Sequence, residues 1–411
     1  MKLLIAIPAL NEEDSIESII SRCLTARDSI IAGSPVEKVE ITVISDGSTD
    51  RTVELAQRYT DQVKLLEFPT NRGYGAAIKE AWRQSDAELL GFLDADGTCD
   101  PAFFGPLCRA LFEQGADVVI GSRMNRHSKM PLIRRLGNLI FALILRVLSS
   151  RPVRDTASGM RVVRRSSLRK VFPLPDGLHF TPAMSARALL DRGVRIAEID
   201  MAYHERQGES KLRVWKDGTR FLRVILESAF LYRPSRPLAI VGAIFILAAS
   251  GLMFMPTVFY LRNRYVAEWM IYRFVVSQLF GIGGVLCFAA SFLTSRILQL
   301  TLSQAPAAKG LAESVGKAIR GRWFWFWPVI ATSIGVAIVI PSLYELVRTG
   351  ATYEHWSRFI VMSFLLVVSQ ILVVTWLVNH VLTLLEERVR YLASPDEFAE
   401  FPKTKLASHG R

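Results

Sequence analysis

The chain has 411 residues, a formal net charge of +12 at pH 7, and hydrophobic side chains at half of its positions. Its mean hydropathy is positive, and a chain this apolar lacks the composition of an ordinary soluble enzyme. Residues 1 to about 230 alternate short apolar runs with charged stretches, whereas the remainder forms long uncharged segments. The sequence therefore predicts one region in water and one in a lipid bilayer.

Strands and helices alternate along the first region. The predicted strands read LLIAIPAL, VEITVIS, VKLLEF, ELLGFLD and ADVVIGS, and the predicted helices span Ser15–Ala26, Thr49–Tyr59, Gly75–Ser85 and Pro101–Gln114. Nearly continuous Ile, Val and Leu in the strands is typical of a parallel sheet buried on both faces. An open α/β sheet binds ligands beyond the carboxyl ends of its strands, so the polar residues at those ends form the candidate site.

Acidic or glycine-rich segments follow the first four predicted strands. They contain Asn11-Glu12-Glu13, Asp46-Gly47-Ser48-Thr49-Asp50, Asn71-Arg72-Gly73-Tyr74-Gly75 and Asp94-Ala95-Asp96. Each alone is compatible with a turn or a helix cap, but their common position on one edge favours a binding site. Two carboxylates one residue apart, Asp94 and Asp96, suit a hard divalent cation that also binds a diphosphate. The alternative is an acidic turn that caps the next helix, although Asp100-Pro101 already provides a cap there.

Two clusters of cations lie beside apolar segments that are too short to span a bilayer. The first cluster consists of Arg123, Arg126, Lys129, Arg134 and Arg135, followed by the apolar run Leu136 to Leu148. The second consists of Arg213, Lys216, Arg220 and Arg223, at helical spacing opposite apolar residues. Both are typical of helices at an anionic bilayer surface, and they favour a ligand with an anionic head and an apolar tail. Amphipathic helices with solvated arginines, or a purely structural juxtamembrane strap, are the alternatives.

Four segments of the second region are long and apolar enough to span a bilayer. They lie at about residues 237–261, 272–293, 324–346 and 359–385. They are apolar on all sides, so buried helices of a soluble core are disfavoured. The connection between the second and third segments carries five cations and one acidic residue, which predicts a cytoplasmic N-terminal region, middle loop and tail. We expect an integral protein of a bacterial-type inner membrane or plasma membrane.

Six motifs in the first region resemble those of a known family. In chain order they read IPALNEE, ISDGSTD, NRGYGAA, FLDADGT, VVIGSR and DTASGMR. This order is similar to that of family 2 glycosyltransferases of the GT-A fold, and most closely to polyprenyl-phosphate glycosyltransferases similar to dolichol-phosphate mannose synthase. The resemblance covers roughly residues 1 to 230. It implies an α/β, Rossmann-like, nucleotide-sugar-binding domain followed by an all-α transmembrane domain of four helices.

The expected domain bounds follow from the motifs and the apolar segments. Residues 1–205 would form the GT-A catalytic domain, 206–235 juxtamembrane amphipathic helices, 236–390 the transmembrane domain, and 391–411 a cytoplasmic tail.

The resemblance also implies a role for individual residues. Pro8, Asn11 and Glu12 would line the nucleotide pocket, and Asp46 would pair with the base. Asp94 and Asp96 match the DXD element that holds ribose, diphosphate and Mg²⁺ or Mn²⁺; many relatives carry Gln where this chain has Thr98. Arg206 and Lys211 match an R-x-x-G-x-S-K element whose cations would close over the donor diphosphate or the acceptor phosphate.

The acceptor phosphate is expected to contact Arg123, Arg134 and Ser158. Asp155, within DTASGMR, would orient the acceptor or accept a proton beside it. The alternative for Asp155 is a turn or helix cap formed with Thr156 and Ser158.

The predicted activity is a metal-dependent, inverting transfer of a sugar from a nucleoside-diphosphate sugar to a polyprenyl phosphate, either dolichyl or undecaprenyl. A processive polysaccharide synthase is one alternative, but the Q-x-x-R-W element of such enzymes is absent from the sequence. A nucleotide-sugar-binding membrane scaffold or flippase without transferase chemistry is another. The cations cluster beside apolar segments, which favours anionic lipid over nucleic acid as a partner. The sequence predicts neither the sugar nor the oligomeric state.

Overall fold

The structure is a computed structural model that describes residues 1–126, 128–205, 213–301, 321, 324–351 and 354–393, without the side chains of residues 214 and 390–393. The chain divides into two compact units, Met1–Arg233 and Pro234–Arg411. The first unit therefore includes the helical segment after residue 213, which sequence analysis assigned to a separate juxtamembrane region.

A seven-stranded sheet forms the centre of the described part of the first unit. Its strands are β1 (Lys2–Ala9), β2 (Lys38–Asp46), β3 (Lys64–Phe68), β4 (Leu89–Phe92), β5 (Val118–Ser122), β6 (Arg161–Arg164) and β7 (Ile196–Asp200). Their order is β3-β2-β1-β4-β6-β5-β7. All pairings are parallel except those of β6, which runs antiparallel to β4 and β5.

The five predicted strands, β1 to β5, all take part in parallel pairings, and β6, which the sequence did not predict, is antiparallel to both of its neighbours. The segment before β6 lies at the carboxyl edge of the sheet, so the chain re-enters the sheet in the reverse direction. At the start of β6, Arg161 pairs with Phe92 at the end of β4. This reversal places the residues that precede β6 beside the ends of the parallel strands.

Helices cover both faces of the sheet. They are α1 (Ile16–Ala32), α2 (Thr52–Gln57), α3 (Tyr74–Arg83), α4 (Phe104–Glu113), α5 (Leu132–Ser149), α6 (Leu168–Val171), α7 (Phe180–Leu190) and α8 (Val214–Tyr232). Side chains alternate between the two faces of a strand, so Leu3 and Ile5 enter one hydrophobic core while Leu4 enters the other. The first core contains residues of α1 and α4, and the second contains residues of α3, α5, α7 and α8. This two-sided burial explains why the strands read as continuous apolar runs.

The second unit consists of long helices over its described residues. They are α9 (Ser235–Asn263), α10 (Ile271–Thr301), α11 (Phe326–Thr349) and α12 (Trp356–Ala393). Four helical segments are long and apolar enough to cross a membrane: Ser235–Asn263, Glu268–Thr301, Phe326–Thr349 and Trp356–Val389. The α/β domain and the four following apolar helices predicted from the sequence are thus confirmed, and the helices extend beyond the predicted bounds.

Candidate active site

A cavity of about 510 Å³ opens at the carboxyl edge of the sheet. It lies where the theory of open α/β sheets places a ligand. Seven of the residues to which the sequence assigned a binding or catalytic role line it: Pro8, Glu12, Asp46, Asp94, Asp96, Arg123 and Arg134. Asn11, Asp155 and Ser158 do not line it, and Arg206 and Lys211 lie outside the described residues.

Asp46 ends β2 and fixes the loop that precedes α3. Its Oδ1 accepts from the backbone amide of Arg72 at 2.7 Å, and its Oδ2 accepts from the amide of Gly73 at 2.9 Å. Gly73 has φ +107°, and a Cβ there would lie 2.5 Å from the carbonyl oxygen of Asp176, so only glycine fits. Burial raises the pKa of Asp46 despite these two amide donors. Asp46 thus combines a structural role with a position on the cavity wall.

Asn11 joins two loops at the edge of the cavity. Its backbone has φ +49°, and its Oδ1 accepts from the Thr49 amide at 2.8 Å. The backbone amide of Asn11 donates to Ser48 Oγ at 3.1 Å. Asn11 therefore connects the loop after β1 to the loop after β2. Its neighbour Glu12 lines the cavity.

Asp94 lies between a tyrosine hydroxyl and a glycine. Tyr74 Oη donates to Asp94 Oδ1 at 2.6 Å. On the other side, a Cβ at Gly159 would lie 1.9 Å from Asp94 Oδ2, so the carboxylate occupies space that any other residue at 159 would fill. Burial, followed by the charge of Asp94, raises the pKa of Tyr74, which keeps its hydroxyl protonated and able to donate.

Asp96 is held by Thr98, the residue that the resemblance singled out as a departure from the family pattern. Thr98 Oγ1 donates to Asp96 Oδ1 at 2.6 Å, and the Thr98 amide donates to the same oxygen at 3.1 Å. Thr98 is fully buried and does not line the cavity. Its contact with the cavity is therefore indirect, through the orientation of Asp96.

The two carboxylates suit a hard cation but cannot surround one. Asp94 and Asp96 both line the cavity and offer oxygen donors, the chemistry that Mg²⁺ and Mn²⁺ prefer. Among the described residues, no group of three or more His, Cys, Asp and Glu side chains is arranged to hold a metal ion. A cation here would need further oxygens from water or from a ligand, as a diphosphate provides.

Asp155 forms a buried ion pair with Arg123. The Asp155 carboxylate accepts from Arg123 Nε and Nη2, each at 2.8 Å, and from the Arg123 amide at 2.9 Å. Burial alone would raise the pKa of Asp155, but the charge and hydrogen bonds of Arg123 outweigh it and hold the pKa below its usual value. The Arg123 guanidinium also lies over the ring of Tyr203, 5.4 Å from its centroid. Asp155 is thus an ionised partner of Arg123 that is fully shielded from solvent.

The remainder of the DTASGMR segment is tied down by buried polar contacts. Asn138 Oδ1 accepts from the Thr156 amide and hydroxyl at 3.0 and 2.7 Å. Ser158 Oγ donates to the Gly121 carbonyl at 2.6 Å. Arg161 is fully buried and donates to the Thr156 and Ser158 carbonyls. Ser158, expected at the acceptor phosphate, is instead a buried link between this segment and β5.

Two helices contribute an apolar and basic part of the cavity lining. Ile133, Arg134 and Phe141 of α5 line the cavity together with Arg220 and Phe221 of α8. The Phe141 and Phe221 rings pack against each other, 6.0 Å apart. Beyond the cavity, α5 exposes large apolar side chains: Leu132, Ile133, Leu136, Leu139, Ile140, Leu143 and Val147. The helix is longer than the predicted run Leu136 to Leu148 and begins at Leu132.

Sequence reasoning gave no role to three residues that shape the cavity. Tyr74 lies inside a motif that was assigned to the site as a segment, without a role for the tyrosine itself, and Tyr203 follows β7, which was not predicted. Asn138 is a lone amide within the apolar run of α5, and such a residue in a buried position usually has a specific hydrogen-bond partner. That signal was available in the sequence.

Comparison with known proteins identifies the family. Residues 4–172 match the model of Glycosyl transferase family 2. The chain is 30% identical over 257 residues to the low-salt glycan biosynthesis hexosyltransferase of Haloferax volcanii, an alignment that covers 61% of this chain and 60% of that protein. It is 32% identical over 231 residues to the dolichyl-phosphate hexose transferase of the same organism, covering 55% of this chain and 92% of that protein.

A third relative is the undecaprenyl-phosphate 4-deoxy-4-formamido-L-arabinose transferase of Photorhabdus laumondii subsp. laumondii. It is 28% identical over 273 residues, which cover 65% of this chain and 79% of that protein. The resemblance inferred from the six motifs is confirmed by these matches, and the chain belongs to glycosyl transferase family 2.

Proposed function

We propose that this protein is a membrane-bound, inverting glycosyltransferase that moves a sugar from a nucleoside-diphosphate sugar to a polyprenyl phosphate. One observation carries the proposal: a single cavity joins two acidic residues, Asp94 and Asp96, to a wall of arginines and apolar rings on α5 and α8. The acidic end suits a metal-bound diphosphate, and the wall on α5 and α8 suits an anionic head with an apolar tail. Relatives named for transfer to dolichyl or undecaprenyl phosphate support the same acceptor class.

At the donor end, Pro8, Glu12 and Asp46 would contact the nucleoside. Asp94 and Asp96 would hold Mg²⁺ or Mn²⁺, which supplies charge neutralisation for the departing nucleoside diphosphate. Thr98 and Tyr74 donate to these carboxylates, so their oxygens are oriented before the donor arrives. Arg206 and Lys211, by resemblance, would add cations over the diphosphate.

The acceptor needs no strong general base. A phosphate monoester has a second pKa near 6, so its oxygen is already a nucleophile at neutral pH. That oxygen attacks C1 of the sugar as the bond from C1 to the diphosphate oxygen breaks, which inverts the anomeric centre and releases the nucleoside diphosphate. We assign Arg134 and Arg220 to the acceptor phosphate because both are cations that line the cavity beside the apolar side chains of α5 and α8.

Asp155 is better assigned to positioning than to proton transfer. Its carboxylate is fully buried and paired with Arg123, which itself lines the cavity. An ionised carboxylate that already accepts three hydrogen bonds from one arginine is poorly suited to accept a proton as well. We infer that Asp155 sets the direction of the Arg123 guanidinium toward the acceptor side.

We further propose that the four apolar helices of the second unit anchor the chain in a bacterial-type inner membrane or a plasma membrane, with the first unit cytoplasmic. The exposed apolar side chains of α5 would then contact the bilayer surface, where the lipid acceptor is located. A polyprenyl phosphate could enter the cavity between α5 and α8 without leaving the leaflet.

The direct test uses purified full-length protein in detergent with Mg²⁺ or Mn²⁺, a panel of radiolabelled UDP- and GDP-sugars, and undecaprenyl or dolichyl phosphate. We expect one donor to give a sugar-labelled lipid phosphate, and Asp96→Asn to abolish it. Asp86→Asn is the matched control, because Asp86 is exposed and pairs with Lys2 away from the cavity. Undiminished turnover by Asp96→Asn would contradict the metal assignment; donor binding without transfer to any lipid would favour a scaffold or flippase.

A further inference from the structure

The hydroxyl of Tyr74 contacts a candidate metal ligand from the wall of the cavity. Tyr74 Oη donates to Asp94 Oδ1 at 2.6 Å, and both residues line the cavity. This length is that of a strong hydrogen bond to a charged acceptor. Tyr74 therefore acts directly on one of the two carboxylates that the proposed function assigns to the cation.

Packing fixes the Tyr74 ring independently of Asp94. The ring makes edge contacts with Phe92 and Phe180, each with centroids 6.4 Å apart. Immediately after it, the amides of Gly75 and Ala76 both donate to the carbonyl of Asp176. The hydroxyl is thus placed by a hydrophobic core and by the start of α3, and the carboxylate aligns to the hydroxyl.

The other side of Asp94 leaves the carboxylate little freedom to turn. Asp94 Oδ2 lies where a Cβ of residue 159 would be, at 1.9 Å, and only the absence of that atom at Gly159 admits it. The carboxylate is therefore confined between a hydroxyl donor and the backbone. These two contacts restrict rotation of the Asp94 carboxylate and favour one orientation of its plane.

Tyr74 is a neutral donor, in contrast to the donor at Asp155. At Asp155 the guanidinium of Arg123 compensates the negative charge. The phenol of Tyr74 supplies a hydrogen bond without a positive charge, so it orients Asp94 without neutralising it. Outer-shell donors of this type orient metal ligands and commonly change metal affinity by about 10- to 100-fold.

We propose that Tyr74 is a positioning residue that fixes the orientation of the Asp94 carboxylate for binding a divalent cation together with the donor diphosphate. The inference rests on the proposed function, because it takes Asp94 as a metal ligand. It adds a specific residue, outside the DXD element, on which cation affinity depends.

The test compares wild type with Tyr74→Phe, which removes only the hydroxyl. Full-length protein in detergent is titrated with Mn²⁺ in the presence of UDP, and in a second series GDP, and free Mn²⁺ is followed by electron paramagnetic resonance. We expect Mn²⁺ affinity to fall about tenfold, with a matching fall in turnover at limiting Mn²⁺ and an unchanged KM for the lipid. Tyr232→Phe is the control, since it loses a tyrosine hydrogen bond to the Lys170 carbonyl outside the cavity.

Equal or tighter Mn²⁺ binding by Tyr74→Phe would overturn the proposal while leaving the metal assignment intact. If the wild type binds no Mn²⁺ with either nucleotide, the metal assignment fails and the role of Tyr74 fails with it. Nucleotide binding in EDTA separates positioning from general damage to the cavity. Unchanged metal-free binding with weakened Mn²⁺ binding supports the proposal, and an equal loss of both refutes it.

Discussion

Replacing Asp155 with Asn separates a positioning carboxylate from a general base. The substitution leaves Arg123, whose side chain is only 13% exposed, beside a neutral amide, in place of a carboxylate that accepts from it at 2.8, 2.8 and 2.9 Å. Removing one member of a buried pair costs about 3 to 5 kcal/mol, because the remaining charge is uncompensated. For a unit of this size, 1 kcal/mol changes the melting temperature by roughly 2 to 4 °C. We therefore expect a fall of roughly 6 to 20 °C.

The assay is thermal unfolding of the full-length protein in detergent, measured with Asp200→Asn as the matched control. Asp200 also pairs with an arginine, Arg154, at 2.7 Å, but both partners are half-exposed. An exposed pair contributes about 0 to 1 kcal/mol, so this control should melt close to the wild type. A double variant, Arg123→Met with Asp155→Leu, removes both charges and should recover part of the loss.

The pH dependence has a definite sign. Arg123 holds the pKa of Asp155 below its unfolded value, which is near 3.9. The stabilisation is therefore present above that pH and is lost as the pH falls through the folded pKa. Asp155→Asn should show a weaker loss of melting temperature in this acidic range. An Asp155→Asn variant that melts like the wild type but loses the acidic limb of its pH-rate profile would refute the positioning role.

Three further predictions concern Thr98, Asp46 and α5. Thr98→Val should lower kcat/KM at limiting Mn²⁺ about tenfold or more, as expected for losing a hydrogen bond to a charged carboxylate, whereas Thr98→Ser should retain activity. Burial raises the pKa of Asp46, so the contribution of its protonated form to folding stability is lost as the pH rises above about 4. The melting temperature of Asp46→Asn should therefore rise relative to that of the wild type as the pH increases, and a difference in melting temperature that does not change with pH would contradict this. Leu143→Glu on exposed α5 should raise the KM for a long-chain polyprenyl phosphate at least about threefold; an unchanged KM, or an equal effect of Ile31→Glu on exposed α1, would contradict the bilayer contact.

The central strands and their polar ends were predictable because their chemistry is local. Continuous apolar runs predicted β1 to β5, and the position of Asp46 at the end of β2 and of Asp94 and Asp96 just after β4 predicted a shared edge. Asp100 and Pro101 predicted the start of the next helical segment, where the Asp100 carboxylate accepts from the Ala102 amide at 3.1 Å. Because open α/β sheets bind ligands beyond the carboxyl ends of their strands, these separate motifs could be assigned to one site.

The acceptor side was harder to predict because its contacts are distant in the chain. β6 has four residues, RVVR, and two of them are arginines, so no apolar run indicated it. The pairing of Arg123 with Asp155 joins residues 32 positions apart, and the contact of Tyr74 with Asp94 depends on ring packing from α7. The motifs indicated that these residues belong to a binding site, but only the fold shows that Arg123 pairs with Asp155 and that Tyr74 donates to Asp94.

The order of the chain divides most of the cavity lining into two parts. Under the proposed function, lining residues up to Asp96 would contact the nucleoside and the cation, and most of those from Arg123 onward would contact the lipid. The two parts of the first unit meet in the sheet at β6, where β4 from the first part pairs with β6 from the second. Under the proposed function, a hybrid gene joined within α4 would keep the sugar-nucleotide preference of one parent and take on the lipid preference of the other.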